Sequence, residues 1–96
     1  MIKRVSATPT FEKAVKKLHS KDKKTVDSAV RNIAIQPGIG NAKKGDLTGV
    51  YVYKFKINKQ EVLMSYQILG SPGSVNAEMV LLALGFHENF YTKLKR

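Results

Sequence analysis

The chain has 96 residues, 43% of them hydrophobic, and no cysteine. That suits one modest core, so residues 1–96 are read as a single domain, and disulfides and thiolate-bound metals are excluded. Seventeen Lys and Arg against seven Asp and Glu give a formal net charge of +10, which attracts polyanions: nucleic acid, a ribosomal surface or an acidic protein. A membrane partner is not expected, because no apolar run approaches the roughly 20 residues a spanning helix needs and no basic helix carries bulky aromatic anchors. With no apolar segment of signal-peptide type at the start, a cytoplasmic location is expected.

Ile2 to Val5 reads as a short first strand. Thr8-Pro9 is a good helix entry, since Thr caps and Pro at the first helical position has no amide hydrogen to lose. Phe11, Ala14, Val15 and Leu18 then recur at the spacing of one apolar helix face, opposite a lysine-rich one. His19 is expected to end this helix, where a cation interacts well with free carbonyls, and Ser20 to cap a second. Val26, Ala29, Val30 and Ile33 repeat the pattern there, so the two helices form a hairpin.

Gln36-Pro37-Gly38 breaks the second helix, and the stretch to Gly49 reads as a loop with Lys43 and Lys44 at its middle. Tyr51 to Ile57 is a strand by its aromatic and β-branched content, with Lys54 and Lys56 on one face and Tyr53, Phe55 and Ile57 on the other. Asn58-Lys59-Gln60 is a hairpin connection, Glu61 to Leu69 the return strand, and Gly70 to Ser74 another turn. Glu78 to Leu84, apolar after its first residue, reads as a central strand. Glu88 to Arg96 is expected to be a last short helix, its acid first and its bases last, as a helix dipole favours. The order β-α-α-β-β-β-α defines an α+β domain with helices on one face of a mainly antiparallel sheet.

His87 and Tyr91 stand one helical turn apart, just past the last strand. An imidazole titrating near pH 6.5 can transfer protons at cellular pH, and a nearby phosphate favours the protonated form that a general acid requires. The simpler alternative is that His87 caps the last helix. Lys43, Lys44 and Lys59 are either solvated charges or backbone contacts for a polyanion.

The element order, with Tyr53-Lys54-Phe55-Lys56-Ile57, Leu63-Met64-Ser65-Tyr66-Gln67 and the Gly85-to-Tyr91 end, resembles the RelE/ParE superfamily of toxins from bacterial type II toxin–antitoxin systems. The resemblance implies a small toxin held inactive by a cognate antitoxin. Such a toxin either cleaves mRNA on the ribosome or, in the ParE branch, blocks DNA gyrase without catalysis. Lys54 and Lys56 match the strand lysines of the RelE-like branch. Its two arginines do not recur, since Leu63 fills one position and His87 lies at or beside the other. Glu61, His87 and Tyr91 instead match the histidine-bearing, YafQ-like mRNA interferases.

The expectation is therefore a ribosome-dependent mRNA endonuclease needing no metal and no small-molecule cofactor. His87 would be the acid, Glu61 a base or an orienting group, Lys54 and Lys56 the phosphate contacts, and Tyr91 a stacking or donor group. Lys43, Lys44 and Lys59 would add RNA-backbone contacts, and the partners would be the antitoxin, mRNA and the ribosome. The rival readings are gyrase inhibition and a basic nucleic-acid-binding module without toxicity.

Overall fold

The structure is a computed structural model that describes residues 2–42, 49–70 and 76–86. The expected helix over 88–96 lies outside them, as do His87, Tyr91, Lys43 and Lys44. In chain order the elements are strand β1 (Arg4–Ala7), helices α1 (Pro9–Lys16) and α2 (Ser20–Ile35), a 3-10 turn (Pro37–Ile39), and strands β2 (Asn41–Ala42), β3 (Val50–Ile57), β4 (Gln60–Leu69) and β5 (Glu78–Phe86). One five-stranded sheet has the order β1-β5-β4-β3-β2. Its only parallel pair among the described residues is β1 with β5.

Both helices bury their apolar stripes on one face of this sheet. Phe11, Val26, Ala29 and Ile33 meet Ile57, Val62, Met64, Tyr66, Met79 and Leu81 there. Thr8 caps α1 as its sequence suggests, accepting from the Phe11 amide, with Pro9 in the first turn. Several local expectations need correction. The last strand runs to Phe86 rather than ending at Leu84, and the hairpin connection is Asn58-Lys59 alone, with Gln60 in β4. The cap of α2 is His19 rather than Ser20, and it makes no side-chain cap bond, so His19 does not end α1, which closes at Lys16. The first strand starts at Arg4 rather than Ile2, because the Ile2 amide donates to the Ala34 carbonyl at the end of α2 instead of to a strand neighbour.

Residues 36–42, just after α2, are more ordered than a glycine-rich loop suggests. Tyr66, at the middle of β4, donates its hydroxyl to the Pro37 carbonyl at 2.6 Å and accepts from the Gly40 amide at 3.2 Å. It stacks on Tyr51 with ring centres 5.3 Å apart. Gly40 allows this approach, since a β-carbon there would lie 2.5 Å from the Tyr66 oxygen. The chain is thereby held close enough for Asn41 and Ala42 to pair with Val52 and Tyr51 as β2.

Strand β5 is interior, between β1 and β4, although the middle position belongs to β4. It carries a bulge: Tyr66 faces Leu81 while Ser65 faces Ala83, so Leu82 is an extra residue. Thr8 pins the irregularity, donating its hydroxyl to the Leu82 carbonyl at 2.8 Å and its amide to the Leu81 carbonyl at 3.0 Å. The extra residue reverses side-chain parity. Met79 and Leu81 enter the helix-side core, whereas Ala83 belongs to a separate buried cluster with Val52 and Leu63 on the opposite face.

Candidate functional site

Strand alternation delivers the lysines to the face that neither described helix covers. Phe55 and Ile57 point into the helix-side core, so Lys54 and Lys56 between them project the other way, and both are exposed. The β3–β4 register sets Lys54 opposite Leu63 and Lys56 opposite Glu61. Like Lys56, Glu61 is exposed on this face. Lys59 stands at the hairpin tip beside them. Asn58 and Lys59 have φ of 51° and 70°, the two positive values of a two-residue turn that closes between Ile57 and Gln60.

Beneath the lysines the face is dry. Leu63, at the position where the resembled RelE-like branch has an arginine, is fully buried with Val52 and Ala83. The leucine fills an apolar slot, and a guanidinium there would lose its hydration. Ser65 shares this face and is equally buried, and its hydroxyl has no hydrogen-bond partner among the described residues. On the far side of Leu63 lies Gly85, and Phe86, the last described residue of β5, faces Val62, one position from Glu61. Lys54, Lys56, Glu61 and the end of β5 thus share one end of the sheet.

Of the five expected catalytic residues, the register brings together Lys54, Lys56 and Glu61, while His87 and Tyr91 lie outside the described residues. Sequence reasoning had no means of finding the bulge at Leu82. Every residue from Met79 to Leu84 is apolar, so no change of parity is visible there.

A cavity of about 470 Å³ lies on the other side of the sheet, between α1 and the ends of β3, β4 and β5. Leu18, Ile57, Val62, Leu84 and Phe86 are among the residues lining it, and Lys13 and Lys17, one helical turn apart, also border it. Phe86 is a large apolar side chain left 44% exposed. No sequence signal marked this hollow, because its walls come from four separate elements.

With this geometry in place, comparison with known proteins identifies the class. Residues 5–95 match the family model described as ParE-like toxin of type II bacterial toxin–antitoxin system, and the chain belongs to that family. Its fold is similar to that of the isolated E. coli RelE toxin, with a TM-score of 0.64 at 17% identity over 95% of this chain and 93% of that one. A chain of the intact E. coli RelBE toxin–antitoxin complex is similar as well, with a TM-score of 0.63 at 17% identity over 85% of this chain and 93% of that one. No curated protein sequence matches.

Proposed function

We propose that this toxin is a ribosome-dependent endoribonuclease that cuts mRNA at the sheet face carrying Lys54 and Lys56. The observation that carries the proposal is the exposed pair Lys54 and Lys56, with Glu61 facing Lys56, at the strand end from which the chain continues to His87.

Cleavage by the ribose 2′-hydroxyl requires removal of its proton, stabilisation of added negative charge on the phosphoryl group and protonation of the departing 5′-oxygen. In the proposed scheme Glu61 accepts the first proton, the two ammonium groups hold the phosphoryl oxygens, and His87 protonates the leaving oxygen. Tyr91 stacks on a base or donates to a phosphate. The products are a 2′,3′-cyclic phosphate and a 5′-hydroxyl, which balances atoms and protons using side chains of this chain alone. The ribosome supplies the placement of the strand, which so small a surface cannot provide by itself.

A cognate antitoxin completes the proposal. An antitoxin segment with apolar side chains for the cavity beside α1, and carboxylates to meet Lys13 and Lys17, would suit that hollow in both shape and charge. Replacing His87 with Ala tests the catalytic assignment: the variant is expected to fold and to lose both growth arrest and mRNA cutting. Unchanged toxicity in His87→Ala rejects the scheme.

A second reading, gyrase inhibition by binding alone, is favoured by the ParE-like family match and by the buried Leu63 in place of an arginine. A supercoiling assay with purified protein separates the two, since only the second reading predicts inhibition there.

A further inference from the structure

The hollow beside α1 sorts its lining by polarity. Its polar residues Thr10, Lys13 and Lys17 stand three and four residues apart, so they come from one side of α1 and its C-terminal cap. Both lysines are exposed, and neither has an ion-pair partner among the described residues. No carboxylate is among the described residues of the lining. The strands supply an apolar floor: Ile57 and Val62 are buried, Leu84 is half-buried, and Phe86 is left 44% exposed. Large apolar side chains open to water beside a polar rim mark a place where something binds.

We infer that this hollow binds a free fatty acid, with the alkyl chain on Ile57, Val62 and Leu84 and the carboxylate at Lys13 and Lys17. Its volume of about 470 Å³ lies toward the small end of ligand sites, which suits one alkyl chain rather than the two of a bilayer phospholipid. Charge selects the head group. A carboxylate accepts charge-assisted hydrogen bonds from both ammonium groups, an alcohol leaves them without a counter-ion, and an alkylammonium is repelled. A fatty acid and the antitoxin segment proposed for the same hollow share their chemistry, apolar groups with a carboxylate, and only one of them can fill it. Fatty acid binding would therefore oppose neutralisation of the toxin. The site is independent of the ribonuclease reading, because it uses neither Lys54, Lys56 nor Glu61.

The test is calorimetric titration of the purified full chain with hexanoate, octanoate and decanoate, each kept below the concentration at which it forms micelles, and with decanol. Saturable one-to-one binding is expected, tightening about fourfold for each added methylene that enters the hollow. The pair Lys13→Gln, Lys17→Gln should weaken decanoate about tenfold and leave decanol unchanged. The pair Lys23→Gln, Lys24→Gln removes the same charge from exposed positions outside the lining and should bind decanoate as wild type does. Ala14→Leu, which fills the hollow from α1, should lose binding while its melting temperature holds or rises. The inference is overturned by absence of saturable binding, by equal losses in the two lysine pairs, or by affinity that does not grow with chain length. Decanol binding as tightly as decanoate overturns it too, as does tighter binding to phosphatidylglycerol vesicles than to decanoate. Should Ala14→Leu fail to fold, the two lysine pairs decide the matter. Loss of fatty acid binding in a toxin that still cuts mRNA sinks this site alone, and binding by a toxin that cuts nothing sinks only the catalytic proposal.

Discussion

Tyr66 joins the centre of the sheet to the chain after α2, and its environment makes that role measurable. Burial raises the pKa of its hydroxyl above the usual tyrosine value, the Gly40 amide opposes the shift, and the nearby Tyr51 and Tyr53 add to it. A raised folded-state pKa means that the folded protein holds the proton more tightly. The stabilisation is complete below the unfolded value near pH 10 and is lost as pH rises above it. Tyr66→Phe leaves the Pro37 carbonyl and the Gly40 amide unpaired and should cost about 1–3 kcal/mol at neutral pH. Urea midpoints measured from pH 8 to pH 11 should fall at the alkaline end for wild type and fall less for the variant. Ser65 is the converse case. Its buried hydroxyl has no partner among the described residues, so Ser65→Ala should leave the urea midpoint unchanged or raise it, and a clear drop would reveal a hydrogen bond that the structure lacks.

At the scale of elements, the β3–β4 hairpin is where stability and function meet. Its turn holds Lys59 at a φ of 70°, a left-handed conformation that favours glycine. Lys59→Gly produces the Asn-Gly pair preferred in such turns and should stabilise by up to about 1 kcal/mol, seen as a rise in melting temperature. If Lys59 contacts RNA, the same variant weakens RNA binding, so heat stability and affinity should move in opposite directions. The hairpin was legible in the sequence because its outer face alternates in polarity, as were α1 and α2, whose apolar residues recur once per turn. Strand β2 was not. Asn41 and Ala42 have no strand character of their own, and they pair because Tyr66, distant in sequence, holds the preceding turn. The bulge in β5 was hidden for another reason: apolar residues on both sides of it would satisfy either parity. Of the candidate site, Lys54 and Lys56 could be grouped from alternation, whereas Glu61 falls opposite Lys56 only because the connection has two residues rather than three, and the dry floor under them depends on Ala83, whose face is set by the bulge.

At the scale of the whole molecule, the described lysines meet different demands in different places. Lys54 and Lys56 adjoin the proposed chemistry, while Lys13 and Lys17 border an apolar hollow suited to an antitoxin segment. Antitoxin bound at the hollow should resist salt better than ribosome binding does, since buried apolar area is not screened. The proposal that this ParE-like toxin cuts mRNA is tested most directly by adding the purified protein to ribosomes programmed with one end-labelled message. A discrete cut leaving a 2′,3′-cyclic phosphate is predicted, absent with Lys54→Gln, Lys56→Gln. An intact message, with supercoiling by gyrase blocked by the same preparation, would contradict it.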